Sequence, residues 1–216
     1  MAYGINQWGA SGTYEGADLM RELNGDYLNS SLSANANWYN NSNNSLGNGN
    51  FNKNYVLKAS AQELIGEAIW YTGAVPNNGA VTLADAYAAE RGISTINNPT
   101  DGVERTTSWV GKVGLIYPSD FGYASENVNC TTNIGVNGNC SLNWMQLENE
   151  NQWTITPSPN LQGDVLFIYQ SYIWSSWIYN HGAATSVINV KPSVYLISGV
   201  NIRGSGTTTD PFIFFK

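Results

Sequence analysis

The sequence predicts a single α+β domain, with helices in the N-terminal half and a twisted antiparallel sheet in the C-terminal half. Three observations predict it. Up to about residue 92, apolar residues recur at helical spacing. After about residue 108, short runs of β-branched and aromatic residues alternate with Gly, Pro, Asn and Asp. The chain has 216 residues, 42% of them hydrophobic, which is enough for a core without metal or many disulfides. No fixed-period repeat and no linker-like stretch divides it, so residues 1–216 read as one unit.

In chain order, Glu15 to Leu28 places Leu19, Met20, Leu23 and Tyr27 on one apolar stripe, with Asn24-Gly25 positioned to cap or kink its last turn. Residues 37–54 are dense in Asn, Ser and Gly and read as a long polar loop. A second helix is expected from a capping box at Ser60-Ala61-Gln62-Glu63. Its buried face would be Ala61, Leu64, Ile65, Ala68 and Ile69, with Gly73 past its end. A third runs from Thr82 to Arg91, with Thr82 and Asp85 at its start and Gly92 as its stop.

Strand composition begins at Trp109 and runs to Tyr117. Trp153-Thr154-Ile155-Thr156 is a short strand ended by Pro157. Asp164 to Trp177 is rich in β-branched and aromatic residues. Val190 to Val200 alternates, and Pro192 marks an edge or bulge within it. Pro211 to Phe215 is a last apolar strand, and Gly204 to Asp210 before it reads as a hairpin-like turn. That turn lacks the lysine and following helix of a phosphate loop.

Composition excludes several functions. Charged residues are only 12%, about half the usual share. Nine Lys and Arg against sixteen Asp and Glu give a net charge of −7. With no basic stripe, neither nucleic-acid binding by phosphate neutralisation nor polybasic membrane contact is expected. In place of charge stand 29 Asn, 22 Gly, 13 Tyr and 8 Trp. Uncharged polar groups beside aromatics are the palette of adaptable recognition surfaces. No 18-residue apolar run and no secretory signal is present, so direct membrane insertion is not expected. If the protein is exported, its targeting or anchoring segment lies outside this sequence.

The two cysteines, Cys130 and Cys140, flank a turn-rich Thr/Asn/Gly stretch that closes on itself easily. A disulfide there is the favoured reading and would stabilise by roughly 3 kcal/mol. It implies an oxidising, extracytoplasmic setting; two reduced thiols are the other reading. A metal site and a cofactor are not expected, because His181 is the one histidine and four suitable ligands are hard to assemble.

Glu148 and Glu150 would share a face of a strand. They read first as a solvated acidic turn. Calcium binding with Asn149 and Asn151, or carboxylate catalysis on a glycan, are the other readings. His181 in Tyr179-Asn180-His181-Gly182 suits a turn or binding loop, and one histidine without a Gly-x-Ser-x-Gly motif makes no triad.

The outstanding segment is Tyr169 to His181. It holds Tyr169, Tyr172, Trp174, Trp177 and Tyr179 among Ser171, Ser175, Ser176, Asn180 and His181, with no charge at all. A core strand would carry more aliphatic residues, and a linker fewer aromatics. The pattern suits a displayed patch with Trp and Tyr as anchors; the competing reading is a strand pair whose rings pack in the core.

Four stretches carry a family resemblance. Ile116-Tyr117-Pro118-Ser119-Asp120-Phe121-Gly122-Tyr123-Ala124 resembles the helix-start motif of the formylglycine-generating-enzyme branch of the C-type lectin fold, in which Pro118 and Ser119 open a helix and Tyr123 and Ala124 turn inward. Val190-Lys191-Pro192-Ser193-Val194-Tyr195-Leu196 is similar to a strand of bacterial surface and pilin-like proteins of that fold. Gly204 to Phe212 looks like the tail that follows it, and Ala17 to Leu28 looks like their opening.

The resemblance implies a C-type lectin-like domain akin to the variable proteins of diversity-generating retroelements. In these a ligand-binding patch precedes the C-terminal strand, and residues 164–189 fill that slot here. The expected protein is a binding protein, not an enzyme. It would be displayed on a cell surface or a phage and would grip a protein or glycan on another cell or host surface. The reactive cysteine pair of the family's enzymes and the sugar-binding calcium motifs of animal lectins are absent, so neither oxidase activity nor calcium-dependent sugar binding is implied. A pilin-like or adhesin subunit is the second expectation, and a glycan-acting enzyme through Glu148 and Glu150 the third.

Overall fold

The computed structural model describes residues 4–6, 18–29, 37–39, 45–48, 57–72, 82–93, 108–124, 145, 152–157, 165–169, 172–174 and 188–216. Helices and predominantly antiparallel strands make an α+β arrangement. In order these are β1 (Gly4–Asn6), α1 (Asp18–Glu22), β2 (Asn37–Tyr39), β3 (Ser45–Asn48), α2 (Ala59–Gln62), β4 (Ala68–Tyr71) and α3 (Leu83–Glu90). They are followed by β5 (Ser108–Gly111), β6 (Val113–Leu115), α4 (Pro118–Tyr123), β7 (Gln152–Pro157), β8 (Val165–Tyr169) and β9 (Tyr172–Trp174). The last are β10 (Ile188–Val190), β11 (Pro192–Val194), β12 (Asn201–Arg203) and β13 (Ile213–Phe215).

Seven strands form one sheet in the order β3-β2-β1-β10-β7-β8-β9. Its described neighbours pair antiparallel except β10 and β7, which run parallel. The sheet is therefore mixed, and it draws three strands from the first 48 residues. Both findings correct the expectation of a purely antiparallel, C-terminal sheet. The cause is non-local: β1 pairs with β10 across most of the chain, a contact that no local pattern announces.

β8 shows how the layers stack. Val165 and Phe167 belong to one buried cluster with Leu19, Leu23, Val113, Leu115, Trp153 and Ile155. Leu166 and Ile168 belong to a second with Leu83, Ala86, Ile116 and Phe121. Alternate residues of a strand point to opposite faces, so this end of the sheet is a middle layer, covered by α1 and β6 on one face and by α3 and α4 on the other.

α1 and the turn that follows it deliver Leu19 and Leu23 into the first cluster, as the apolar stripe predicts. α1 continues as a π-helical turn, Leu23–Tyr27, at the Asn24-Gly25 pair. The turn aims Asn24 at β6. Its Nδ2 donates to the Val113 carbonyl at 2.8 Å and to the Met20 carbonyl at 3.0 Å, and its Oδ1 accepts from the backbone N–H groups of Val113 at 2.9 Å and Lys112 at 3.2 Å. One amide thus replaces a strand along the edge of β6 that faces away from β11.

Residues 59–72 correct the second-helix expectation. α2 is a single turn, its N-cap is Lys58 with no side-chain cap, and Ala68–Tyr71 is a strand paired with β5. Only Ile65 and Trp70 of this stretch join the core, while Ile69 is exposed. The Gly66 N–H donates to the Tyr195 carbonyl and the Ile197 N–H to the Leu64 carbonyl. These long-range bonds and the strand-favouring Ile69-Trp70-Tyr71-Thr72 outweigh the helical spacing of Ala61, Leu64 and Ile65. The indole N–H of Trp70 donates to the Gly111 carbonyl at 3.1 Å, and its ring lies against Tyr195 and Tyr117.

Residues 37–39 and 45–48, expected within a polar loop, pair as a hairpin on β1. Backbone pairing is indifferent to side-chain polarity, and Trp38-Tyr39 has strand composition. α3 agrees with its sequence signals. Thr82 and Asp85 form a reciprocal capping box, and Gly92 stops the helix at φ +69°. Pro192 opens β11 and separates it from β10, so the chain changes sheets there. Residues 204–210 join β12 to β13 as the expected turn, with Gly204 and Gly206 at positive φ.

Candidate functional site

Of the ten residues expected to bind a ligand, Tyr169, Tyr172 and Trp174 lie on described strands. Ser171, Ser175, Ser176, Trp177, Tyr179, Asn180 and His181 lie outside the described residues, as do Cys130, Cys140, Glu148 and Glu150. Tyr169 pairs with Tyr172, Ile168 with Ile173 and Phe167 with Trp174. The aromatic segment therefore begins on two neighbouring antiparallel strands. β9 is one of the two edge strands of the described seven-stranded sheet, carried by a β8 whose residues 165–168 are all buried.

α4 packs against both β8 and β9, and at this end of the molecule lies a cleft of about 660 Å³ lined by Tyr87, Asp120, Tyr123, Ala124 and Met145. Its geometry follows from two helices meeting closely. Gly122 of α4 faces Leu83 of α3, where a Cβ would come within 2.5 Å of the leucine side chain. That approach sets Tyr87 and Tyr123 edge to face, with ring centroids 5.9 Å apart. Both rings are half exposed. For Tyr123 this corrects the expectation that it turns inward; Ala124, at 5% exposure, does so. The sixth and last residue of a short helix has one side open to solvent, and Phe121 already fills the buried side.

Behind the cleft, Arg91 ties several of its walls together. Arg91 bonds Asp120 at 2.5 Å, and its guanidinium lies 4.6 Å from the centre of the Tyr87 ring and 4.9 Å from that of Tyr117. The Tyr117 hydroxyl accepts the Tyr71 N–H at 3.0 Å, and burial pushes its pKa up. Glu90 is buried at the start of α4, where it accepts the Ser119 N–H at 3.3 Å and bonds the Ser119 hydroxyl. Burial pushes its pKa up to about 8; the Ser119 hydrogen bonds oppose that shift without reversing it.

Chemically, the cleft offers two phenols, one carboxylate oxygen beyond the Arg91 bond, and a thioether. Its cation–π position is already filled from within by Arg91. Among the described residues, no cluster of three or more His, Cys, Asp or Glu is placed to hold a metal. The sequence reading missed Tyr87, Glu90 and Met145. One available signal was Tyr87 and Arg91 spaced four apart on an exposed helix face. Comparison with protein-family models, curated proteins and solved structures finds no match to this chain.

Proposed function

We propose that this chain is a surface-displayed binding protein with a C-type lectin-like fold, of the kind used as variable proteins by diversity-generating retroelements. It binds a partner, a protein in the first instance, through the aromatic and polar segment 169–181. The observation that carries this reading is the β8–β9 hairpin. A strand buried on both faces supports an edge strand at which the aromatic segment begins, as a rigid frame supports a displayed patch. The α3–α4 cleft at the same end adds two half-exposed tyrosines to that surface. Among the described residues no helix is long and apolar enough to cross a membrane.

The test is a pair of substitutions, Trp174→Ala and Trp177→Ala, read by thermal melting and by binding of labelled protein to a glycan array and to intact bacterial cells. A displayed patch leaves Tm within about 3 °C and abolishes binding. Core rings would each cost about 3–5 kcal/mol, or roughly 6–20 °C, and that result ends the proposal. Sequencing the neighbouring DNA tests the variable-protein reading. It expects a reverse transcriptase and a near-copy of the codons for residues 169–189.

One observation favours a second reading, an assembly subunit. The C-terminal residues Ile202, Phe212, Ile213, Phe214 and Phe215 are all exposed.

A further inference from the structure

Among the described residues β12 and β13 form a sheet of two strands, and they pack chiefly on each other. A two-stranded ribbon is marginal in water unless something covers it. This one is apolar on both faces. Ile202 pairs with Phe214 on one, while Ile213 and Phe215 occupy the other opposite Arg203 and Asn201. Ile202, Phe212, Ile213, Phe214 and Phe215 are 42–57% exposed. Taking roughly 200 Å² for each whole side chain, they offer about 500 Å² of apolar surface.

We infer that this ribbon is a self-association surface, in which β13 pairs antiparallel with β13 of a second copy of this chain. The register is self-complementary about Phe214. Phe214 meets its own equivalent, Ile213 meets Phe215, and Lys216 meets the ring of Phe212. No like charges face each other, and the last pair joins a cation to an aromatic ring, as Arg203 already sits 5.7 Å from the Phe215 ring centre. A parallel pairing would instead stack Lys216 on Lys216. Charge favours this surface over others: the chain carries −7, yet residues 201–216 hold Arg203 and Lys216 against Asp210 alone. Asp210 is spent inside the turn, where it accepts the Ser205 N–H at 2.8 Å.

The exposed apolar side chains of two copies sum to about 1,000 Å², and pairing along the β13 edge covers only part of that, so the dimer is a weak one. The inference stands independently of the ligand-binding reading, since the ribbon shares no residue with segment 169–181.

Sedimentation equilibrium of the whole chain between 1 and 200 µM tests it. The mass is expected to rise toward two copies, more readily at higher salt, which screens the repulsion of two acidic chains. Phe214→Asp is expected to stay monomeric with Tm within about 2 °C of the parent, because the ribbon lies outside both core clusters. Mixing Phe214→Asp with Phe214→Lys is expected to restore the dimer. A parent chain that is monomeric at 200 µM, a dimer that survives Phe214→Asp, or a mass that grows past two copies overturns the proposal.

Discussion

Replacing Glu90 by glutamine is expected to flatten the dependence of stability on pH. The carboxyl group is 1% exposed, and burial raises its pKa from 4.5 to about 8. A carboxyl group raised on folding binds more protons in the native state than in the unfolded one. Its contribution is therefore fully present below pH 4.5 and is lost as pH climbs through 8. Folding thus moves the midpoint of this group by about 3.5 on the pH scale. At ~1.36 kcal/mol per unit, the ceiling is about 5 kcal/mol between pH 4.5 and 8. Glutamine keeps the bonds to Ser119, with its oxygen accepting the N–H and its amide donating to the hydroxyl, and it carries no charge to desolvate. Melting curves of both proteins from pH 5 to 8.5 at fixed ionic strength isolate the effect, since the other titrating groups cancel in the difference. The parent is expected to match Glu90→Gln at pH 5 and to fall roughly 10 °C below it at pH 8.5, at about 2–4 °C per kcal/mol. Parallel curves, separated by the same interval at every pH, would refute the assignment of Glu90 as a buried neutral acid.

Three further outcomes are expected. Asn24→Ala removes four hydrogen bonds, two of them to the backbone of Val113, costing about 2–4 kcal/mol by urea unfolding. Gln152→Met is expected to stabilise by about 1 kcal/mol in the same assay, because both side-chain amide atoms of Gln152 are buried without a hydrogen-bond partner among the described residues. Gly122→Ala drives a methyl into Leu83, lowers Tm by several degrees and weakens any ligand that the Tyr87–Tyr123 cleft takes, read by tyrosine fluorescence.

The sequence was most legible where structure is decided by near neighbours. Thr82, Asp85 and Gly92 delimit α3 because a capping box and a left-handed stop act within one helical turn. Pro118 at the first turn of α4 and Pro192 at the head of β11 act through one fixed φ angle. It was least legible where partners are remote. Ala68 to Tyr71 fits a helix and a strand equally well on paper, and pairing with Ser108–Gly111 decides between them. Asn37 to Asn48 looks like solvent-facing loop until β1 supplies backbone partners. The cleft was hidden for the same reason. Tyr87 and Tyr123 are 36 positions apart, and only the absence of a side chain at Gly122 lets their helices bring them together.

The amide of Asn24 also acts as a stopper. Among the described residues the strand partner of β6 is β11, and the Asn24 side chain occupies the N–H and C=O of Val113 for which an extended peptide would compete. A variant lacking that side chain is expected to be more open to stray chain segments, its own copies included, and so to precipitate more readily. A π-turn that looks like a local irregularity is in this sense a guard on solubility, set in place by one residue at a kink.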